Sequence, residues 1–305
     1  MLWVATNRGV YRSTDAGTSW TVGAGTSNIN IRDIKVKPND PSVIYAASSN
    51  RFYRSTNSGA SFTQIFGGLP FNGVSRYVID VTPADPNLVY LLSADNSYEF
   101  GSIYRSTNSG VNFSVVANQA ISGDIFQSTQ FWYDLAFAVS DTHPNELYVG
   151  VLNIWKGSVQ ANNQATFTQL NSWSAPFSSA YTHADIHYLR FFNGELLAGT
   201  DGGFYKSSNA GSSFTDLTEG MQISQFYRIA VSKQTSTKMV GGLQDNGGHA
   251  FNNNTWQNYY GADGMDTAID PNNSNLYYGF TQNGGGLYYS TNAGASLTGN
   301  VSAPA

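Results

Sequence analysis

Short apolar runs of period two, each interrupted by a turn rich in Pro, Asn and Asp, recur through most of the chain. Ile34-Lys35-Val36 leads through Lys37-Pro38-Asn39-Asp40-Pro41 into Val43-Ile44-Tyr45-Ala46, and Val78 to Val81 leads through Pro83-Ala84-Asp85-Pro86 into Leu88-Val89-Tyr90. Leu135 to Val139 leads through His143-Pro144-Asn145 into Leu147-Tyr148-Val149, and Ala268-Ile269 leads through Asp270-Pro271-Asn272-Asn273 into Leu276-Tyr277-Tyr278. Alternation at period two, split by such turns, predicts antiparallel hairpins.

A second signal runs in phase with the first: Ser, any residue, Asp or Asn, any residue, Gly, two residues, then an aromatic. It reads Ser13-Thr14-Asp15-Ala16-Gly17-Thr18-Ser19-Trp20 and returns at Ser55 to Phe62, Ser106 to Phe113 and Ser207 to Phe214; at Ser290 to Leu297 the aromatic is replaced by Leu. The starts lie 42, 51, 101 and 83 residues apart, the last two about twice the first two. Two worn copies are therefore expected near residues 157 and 250. Trp155-Lys156-Gly157 leading to Phe167, and Gly248-His249-Ala250 leading to Trp256, fit those places. Seven units of 40 to 50 residues, each an inner strand, a second strand, a third ending in Tyr-Arg-Ser and a fourth starting at the aromatic, predict an all-β fold: a seven-bladed β-propeller of four-stranded antiparallel blades over residues 1–305. The first repeat opens at its second strand, Leu2 to Thr6. Such an edge invites pairing, and residues near Val301 are expected to fill it. The abrupt opening also suggests a piece of a longer chain with other domains.

Composition narrows the function classes. Of 305 residues 41% are hydrophobic and only 11% charged, with 31 Gly and a net charge of −5. Fifteen Lys and Arg spread over the whole chain cannot build a phosphate-neutralising face, so nucleic-acid binding is set aside. With no Cys, disulfides and thiolate metal sites are excluded. No apolar stretch is long enough to span a membrane, and the N-terminus lacks the basic region and apolar run of a signal peptide.

In a propeller, loops leading into the inner strand and out of the second strand share one face. That rule gathers His183-Ala184-Asp185-Ile186-His187, the Asp201-Gly202-Gly203 turn, Gln244-Asp245-Asn246-Gly247-Gly248 and Gly261 to Asp266. The candidate ligand-binding residues are His183, Asp185, His187, Asp201, Gln244, Asp245, Asn246 and Asp263, joined by the loop aromatics Trp132 and Tyr227. Asp185, Asp245 and Asp263 are the candidate catalytic carboxylates. The bland alternative is that these groups cap strand ends and bind one another or water. Tyr98, Tyr133 and Phe226 fall on the same face, where exposed rings could stack on sugars or peptide side chains. Arg32, Arg76 and Arg228 each begin an inner strand.

The Ser-x-Asp-x-Gly-x-x-Trp pattern resembles the Asp-box, or bacterial neuraminidase repeat, which joins the third and fourth strands of a blade. Its Asp or Asn oxygen accepts backbone N–H groups and its Gly takes the left-handed conformation. A calcium loop is the competing reading, but these turns carry one carboxylate or none, so no cofactor is expected and calcium is only the fallback. His183-Ala184-Asp185, Gly199-Thr200-Asp201-Gly202-Gly203, Gly241 to Gly247 and Ala262-Asp263-Gly264 resemble the repeat regions of large secreted Bacteroidetes proteins described as glycosyl-hydrolase-like or sortilin-like. That resemblance implies a secreted or cell-surface protein, exported by the type IX route. The chain is also similar to glycoside hydrolase family 74 xyloglucanases, whose two catalytic Asp residues sit between two propellers; only one propeller is expected here. Sialidases share the repeat, but their Arg-Ile-Pro motif is absent, and sortilin-type receptors carry a Cys-rich stalk. The expected function is a non-catalytic interaction or scaffold propeller binding a protein or glycan at its loop face. The alternative is a glycoside hydrolase using the loop-face carboxylates.

Overall fold

The computed structural model describes residues 1–123 and 125–301. The chain forms seven antiparallel sheets, each built from strands consecutive in sequence. The first holds β1 (Leu2–Thr6), β2 (Gly9–Ser13) and β3 (Thr21–Val22); the second β4 (Ile31–Val36), β5 (Ile44–Ser48), β6 (Phe52–Ser55) and β7 (Thr63–Ile65). The third holds β8 (Arg76–Thr82), β9 (Asp85–Ala94), β10 (Phe100–Ser106) and β11 (Ser114–Asn118). A four-residue helix, α1 (Gln119–Ser122), precedes the fourth: β12 (Ala136–Val139), β13 (Glu146–Gly150), β14 (Ile154–Val159) and β15 (Ala165–Gln169). The fifth holds β16 (Ile186–Phe192), β17 (Glu195–Thr200), β18 (Phe204–Ser207) and β19 (Thr215–Asp216); the sixth β20 (Phe226–Val231), β21 (Lys238–Leu243), β22 (Gly247–Asn252) and β23 (Thr255–Tyr260). The seventh holds β24 (Gly264–Ile269), β25 (Tyr277–Thr281), β26 (Leu287–Ser290) and β27 (Gly299–Val301). This is the seven-bladed β-propeller class expected from the repeat, with one three-stranded blade. Two compact units are distinguished, Met1–Thr218 with the first five sheets and Glu219–Ala305 with the last two.

Of the tail expected to act as the clasp, residues 302–305 lie outside the described residues. Gly299–Val301 pairs with β26 as the fourth strand of its own sheet, Leu287 opposite Val301. Among the described residues β1 pairs with β2 alone. The physical reason is local. The turn at Ser290 brings the chain straight back along β26, and pairing there closes a far shorter loop than pairing with β1.

That turn works the same way five times. Ser13, Ser55, Ser106, Ser207 and Ser290 are buried. Each hydroxyl donates to the Asp or Asn two residues on, at 2.8 to 2.9 Å, and accepts the N–H of the Gly four residues on, at 2.8 to 3.0 Å. The Asp or Asn oxygen then accepts the N–H four residues beyond itself, at 2.9 to 3.1 Å. Asn serves as well as Asp because the task is to accept hydrogen bonds. In the first copy the hydroxyl and N–H of Ser19 hold the Asp15 carboxyl down at about 2. The two worn copies replace this device with other turns. The β22–β23 hairpin turns on Asn253 and Asn254, both with positive φ, as a two-residue hairpin loop prefers. The β14–β15 hairpin closes through Gln160 and Asn163.

The cores lie between neighbouring sheets. One cluster joins the first and second sheets through Val10, Ile31, Ile44, Ala46, Tyr53 and Phe62, and others join the second to the third, the third to the fourth and the fourth to the fifth. In the second unit Val240, Ala250, Tyr259, Tyr260, Tyr277 and Ala293 join the last two. The turn aromatics Phe62 and Phe113 are buried as expected, whereas Trp20 and Leu297 are exposed. Phe62 packs on Gly23 of the preceding sheet, and its N–H donates to Ala24 O at 2.7 Å. Phe113 repeats this on Gly67 O at 2.9 Å. The Arg of Tyr-Arg-Ser reaches the next blade's turn: Arg54 Nε donates to Ser109 O at 2.7 Å.

The first strands are stitched side by side within the first unit. Asp33 Oδ2 accepts the N–H of Ile79 and Asp80 Oδ2 that of Val139, both at 2.7 Å. Burial raises the Asp80 carboxyl to about 6, against the opposing pull of Lys35 and the Val139 N–H. A carboxyl raised on folding binds protons more tightly in the native than in the unfolded chain, so stability falls as pH rises from about 4 to about 6. Asp80→Asn keeps an acceptor for Val139 and removes the titration. Denaturant melts across that window are expected to show a flatter pH dependence in this variant; an unchanged slope would contradict the assignment. At Gly68, φ is +76° and an added Cβ would run into the Phe113 carbonyl of the next sheet. Gly68→Ala is expected to cost about 3 kcal/mol or more, seen as a lower melting temperature.

Candidate functional site

The loop between β11 and β12 is pinned from three sides. Phe126 and Phe131 are buried, and the Phe126 ring meets Phe100 at 4.8 Å, Phe167 at 5.3 Å and Trp155 at 5.9 Å. Arg76, at the start of β8, donates from its guanidinium to the carbonyls of Phe131 (3.0 Å), Tyr133 (3.4 Å) and Leu135 (3.5 Å). Gln130 O accepts the N–H groups of Tyr133 (2.7 Å) and Asp134 (3.1 Å). The outcome is a fixed sequence of three directions: Trp132 is 60% exposed, Tyr133 lies at the surface, and Asp134 has no exposed surface at all.

Three sequence-selected residues meet this loop in the fifth sheet. Asp201 sits in the β17–β18 turn, where Thr200 Oγ1 and Gly203 bond reciprocally at 3.0 Å. Its Oδ2 accepts the Tyr133 hydroxyl at 2.6 Å, and its Oδ1 lies 2.7 Å from His187 Nε2. The Tyr133 and His187 rings meet edge to face at 4.8 Å. Asp185 precedes β16 with φ of +60°, and its carbonyl accepts the Asp201 N–H at 3.3 Å. The His183 ring packs over Gly202, where any Cβ would collide with it. Asp134 and Asp185 face each other within hydrogen-bonding reach. Burial, and then the neighbouring carboxylates, push both above the usual carboxyl range.

Beside this network a groove of about 460 Å³ is lined by Arg32, Asp33, Lys35, Arg76, Trp132, Tyr133, His187 and Tyr188, among others. Its cations are unequal. Arg76 is spent on loop carbonyls, while Arg32 is exposed and makes no hydrogen bond or ion pair among the described residues. Its lining acid is engaged: Asp33 accepts the N–H groups of Ile34 and Ile79 and lies 3.5 Å from Lys35 Nζ.

The second unit carries the other selected residues. Asp263 Oδ1 accepts the Asp245 N–H at 2.7 Å, and the Asp263 N–H donates to Gln282 Oε1 at 3.1 Å. Gln244 and Asn246 hold the same turn: the Gln244 N–H donates to Gln225 O at 3.0 Å, and Asn246 Nδ2 donates to Gln244 O at 3.1 Å. Tyr227 is raised by desolvation and by Asp263 and Asp245. Arg228 donates to the carbonyl of its neighbour Tyr227 at 2.8 Å.

Asp134 was not among the sequence-selected residues. It stands alone before an apolar strand, and only the folding back of its loop brings it to Asp185.

No family model matches the chain. A xyloglucanase of a Paenibacillus species is 27% identical over 120 residues, 39% of this chain and 11% of that protein. Among solved structures, the GH74 enzyme of Niastella koreensis has a TM-score of 0.63 at 18% identity, covering 97% of this chain and 47% of its own. PorZ, a surface component of the type-IX secretion system of Porphyromonas gingivalis, has a TM-score of 0.52 at 12% identity, covering 98% of this chain and 38% of its own. The chain is similar in fold to these propellers. It spans less than half the length of each.

Arg76→Met should free the carbonyls of Phe131, Tyr133 and Leu135. A lower melting temperature and faster proteolysis within residues 125–135 are expected, since hydrogen bonds from a charged donor are worth about 1.5–3 kcal/mol each when intact. Equal proteolysis in both proteins would count against a tethering role.

Proposed function

We propose that the chain is a non-catalytic recognition propeller of a larger extracellular protein, binding a carbohydrate in the groove of the first unit. One observation carries this reading: the acidic groups at the groove are already engaged. Asp201 is held by Tyr133 and His187, and Asp33 by two backbone N–H groups and Lys35. Asp134 has no access to solvent. A glycosidase needs two carboxyl groups free to face one bond, roughly 5 to 9.5 Å apart. What the groove does present is the exposed face of Trp132, tilted against Tyr133 at 5.5 Å, with Arg32 and Tyr188 nearby. An indole beside planar hydrogen-bonding groups suits a sugar ring, whose C–H face stacks while its hydroxyls bond at the edge.

The likeness to a xyloglucanase and to a GH74 enzyme supports a polysaccharide as the ligand and makes xyloglucan the first to test. The likeness to PorZ supports an extracellular setting. No described helix is long and apolar enough to cross a membrane.

Affinity electrophoresis and calorimetry against soluble polysaccharides should show retention of the intact chain by at least one of them. Trp132→Ala should weaken it about tenfold or more, the loss of one stacked ring, with melting temperature unchanged. Release of reducing ends by the wild type, lost in Asp185→Asn or Asp201→Asn, would replace this reading with hydrolysis.

A further inference from the structure

The Asp134–Asp185 pair is not used by the groove and is not explained by folding. Apart from each other's carboxyl, neither Asp134 oxygen nor the buried Asp185 Oδ1 has a hydrogen-bond partner among the described residues. No Lys or Arg forms an ion pair with either among the described residues. Buried polar groups are nearly always satisfied, and a buried carboxylate without a partner costs several kcal/mol.

A proton shared across the pair bridges only two oxygens and leaves the third buried oxygen unmet. A divalent cation engages several at once. The setting fits such an ion. All the donors are hard carboxylate oxygens, which suit calcium rather than a softer metal. Asp201 lies next to the pair and accepts the Tyr133 hydroxyl at its Oδ2. That outer bond resembles the second-shell contacts that orient metal-binding carboxylates. We propose that Asp134 and Asp185 form a calcium-type divalent cation site in the first unit, tying the loop before β12 to the start of β16. This site is separate from the five serine-based turns, whose Asp and Asn oxygens are spent on backbone N–H groups.

The test uses the intact chain, stripped with chelator and dialysed. Calcium is expected to bind by calorimetry and to raise the melting temperature by about 3 °C or more over the chelated protein. Terbium should bind in its place, with luminescence sensitised by the nearby Trp132 and Tyr133 and quenched by added calcium. Asp134→Asn and Asp185→Asn should each abolish the calcium-dependent shift and the terbium signal, while Asp80→Asn retains both. If one of the two fails to fold by circular dichroism, the other decides. Identical melting of the wild type in calcium, magnesium, manganese and chelator, with no terbium signal, would overturn the site. So would a calcium shift that survives both substitutions, which would move the ion elsewhere.

Discussion

A sheet of three or four short strands has two faces and no interior of its own, so each blade here is stable only against a neighbour. The buried side chains form clusters drawn from adjacent sheets, with Tyr45, Tyr90 and Tyr148 at comparable places in the second, third and fourth sheets. Apolar burial at about 25 cal/mol per Å² supplies the drive, but it does not fix the relation of one sheet to the next. Directional bonds do that. Phe62 N–H to Ala24 O and Phe113 N–H to Gly67 O tie the chain just after the last strand of the first and second sheets to the following sheet's turn, while Asp33 and Asp80 tie one first strand to the next. The buried Ser hydroxyl of each turn presents these groups at a constant geometry.

This explains why the architecture was legible in the sequence. The turn needs a hydroxyl, an acceptor two residues on and a Gly at positive φ, and few other residues do those jobs. The signal therefore survives at five places and gives the period. Where the turn decayed, the hairpin persisted, because Asn253 and Asn254 supply a two-residue loop by another route. An exposed strand edge states a need without naming the segment that meets it, so the pairing of the tail's first residues was not legible. The nearer edge of β26 took Val301.

The site was legible only in part. His187 and Asp201 carry visible chemistry and lie in a loop and turn that the blade pattern sorts to one side, so the sequence could select them. It could not say that they bond each other directly and that Tyr133 meets both. Asp134 left no mark. Its importance comes from Arg76, fifty-eight residues earlier in the chain, whose guanidinium gathers three carbonyls and folds the loop inward. A side chain that acts through backbone oxygens has no sequence partner to betray it, and Arg76 by itself reads as one more strand-opening arginine.

Trp132, Tyr133 and Asp134 are consecutive but face three environments: solvent, the Asp201–His187 pair and the buried carboxyl pair. That arrangement makes one rigid segment answer to two demands. Whatever neutralises Asp134 and Asp185 lowers the cost of holding the loop closed, and the loop's position sets where the Trp132 ring stands. With negative charge uncompensated beneath it, the segment would trade burial of Asp134 for hydration, and the ring would lose its place beside Arg32 and Tyr188. A cation beneath the groove and a sugar upon it would thus be coupled through backbone geometry, with no contact between the two. The coupling free energy would equal the cost of misplacing the loop, and it would act equally in both directions.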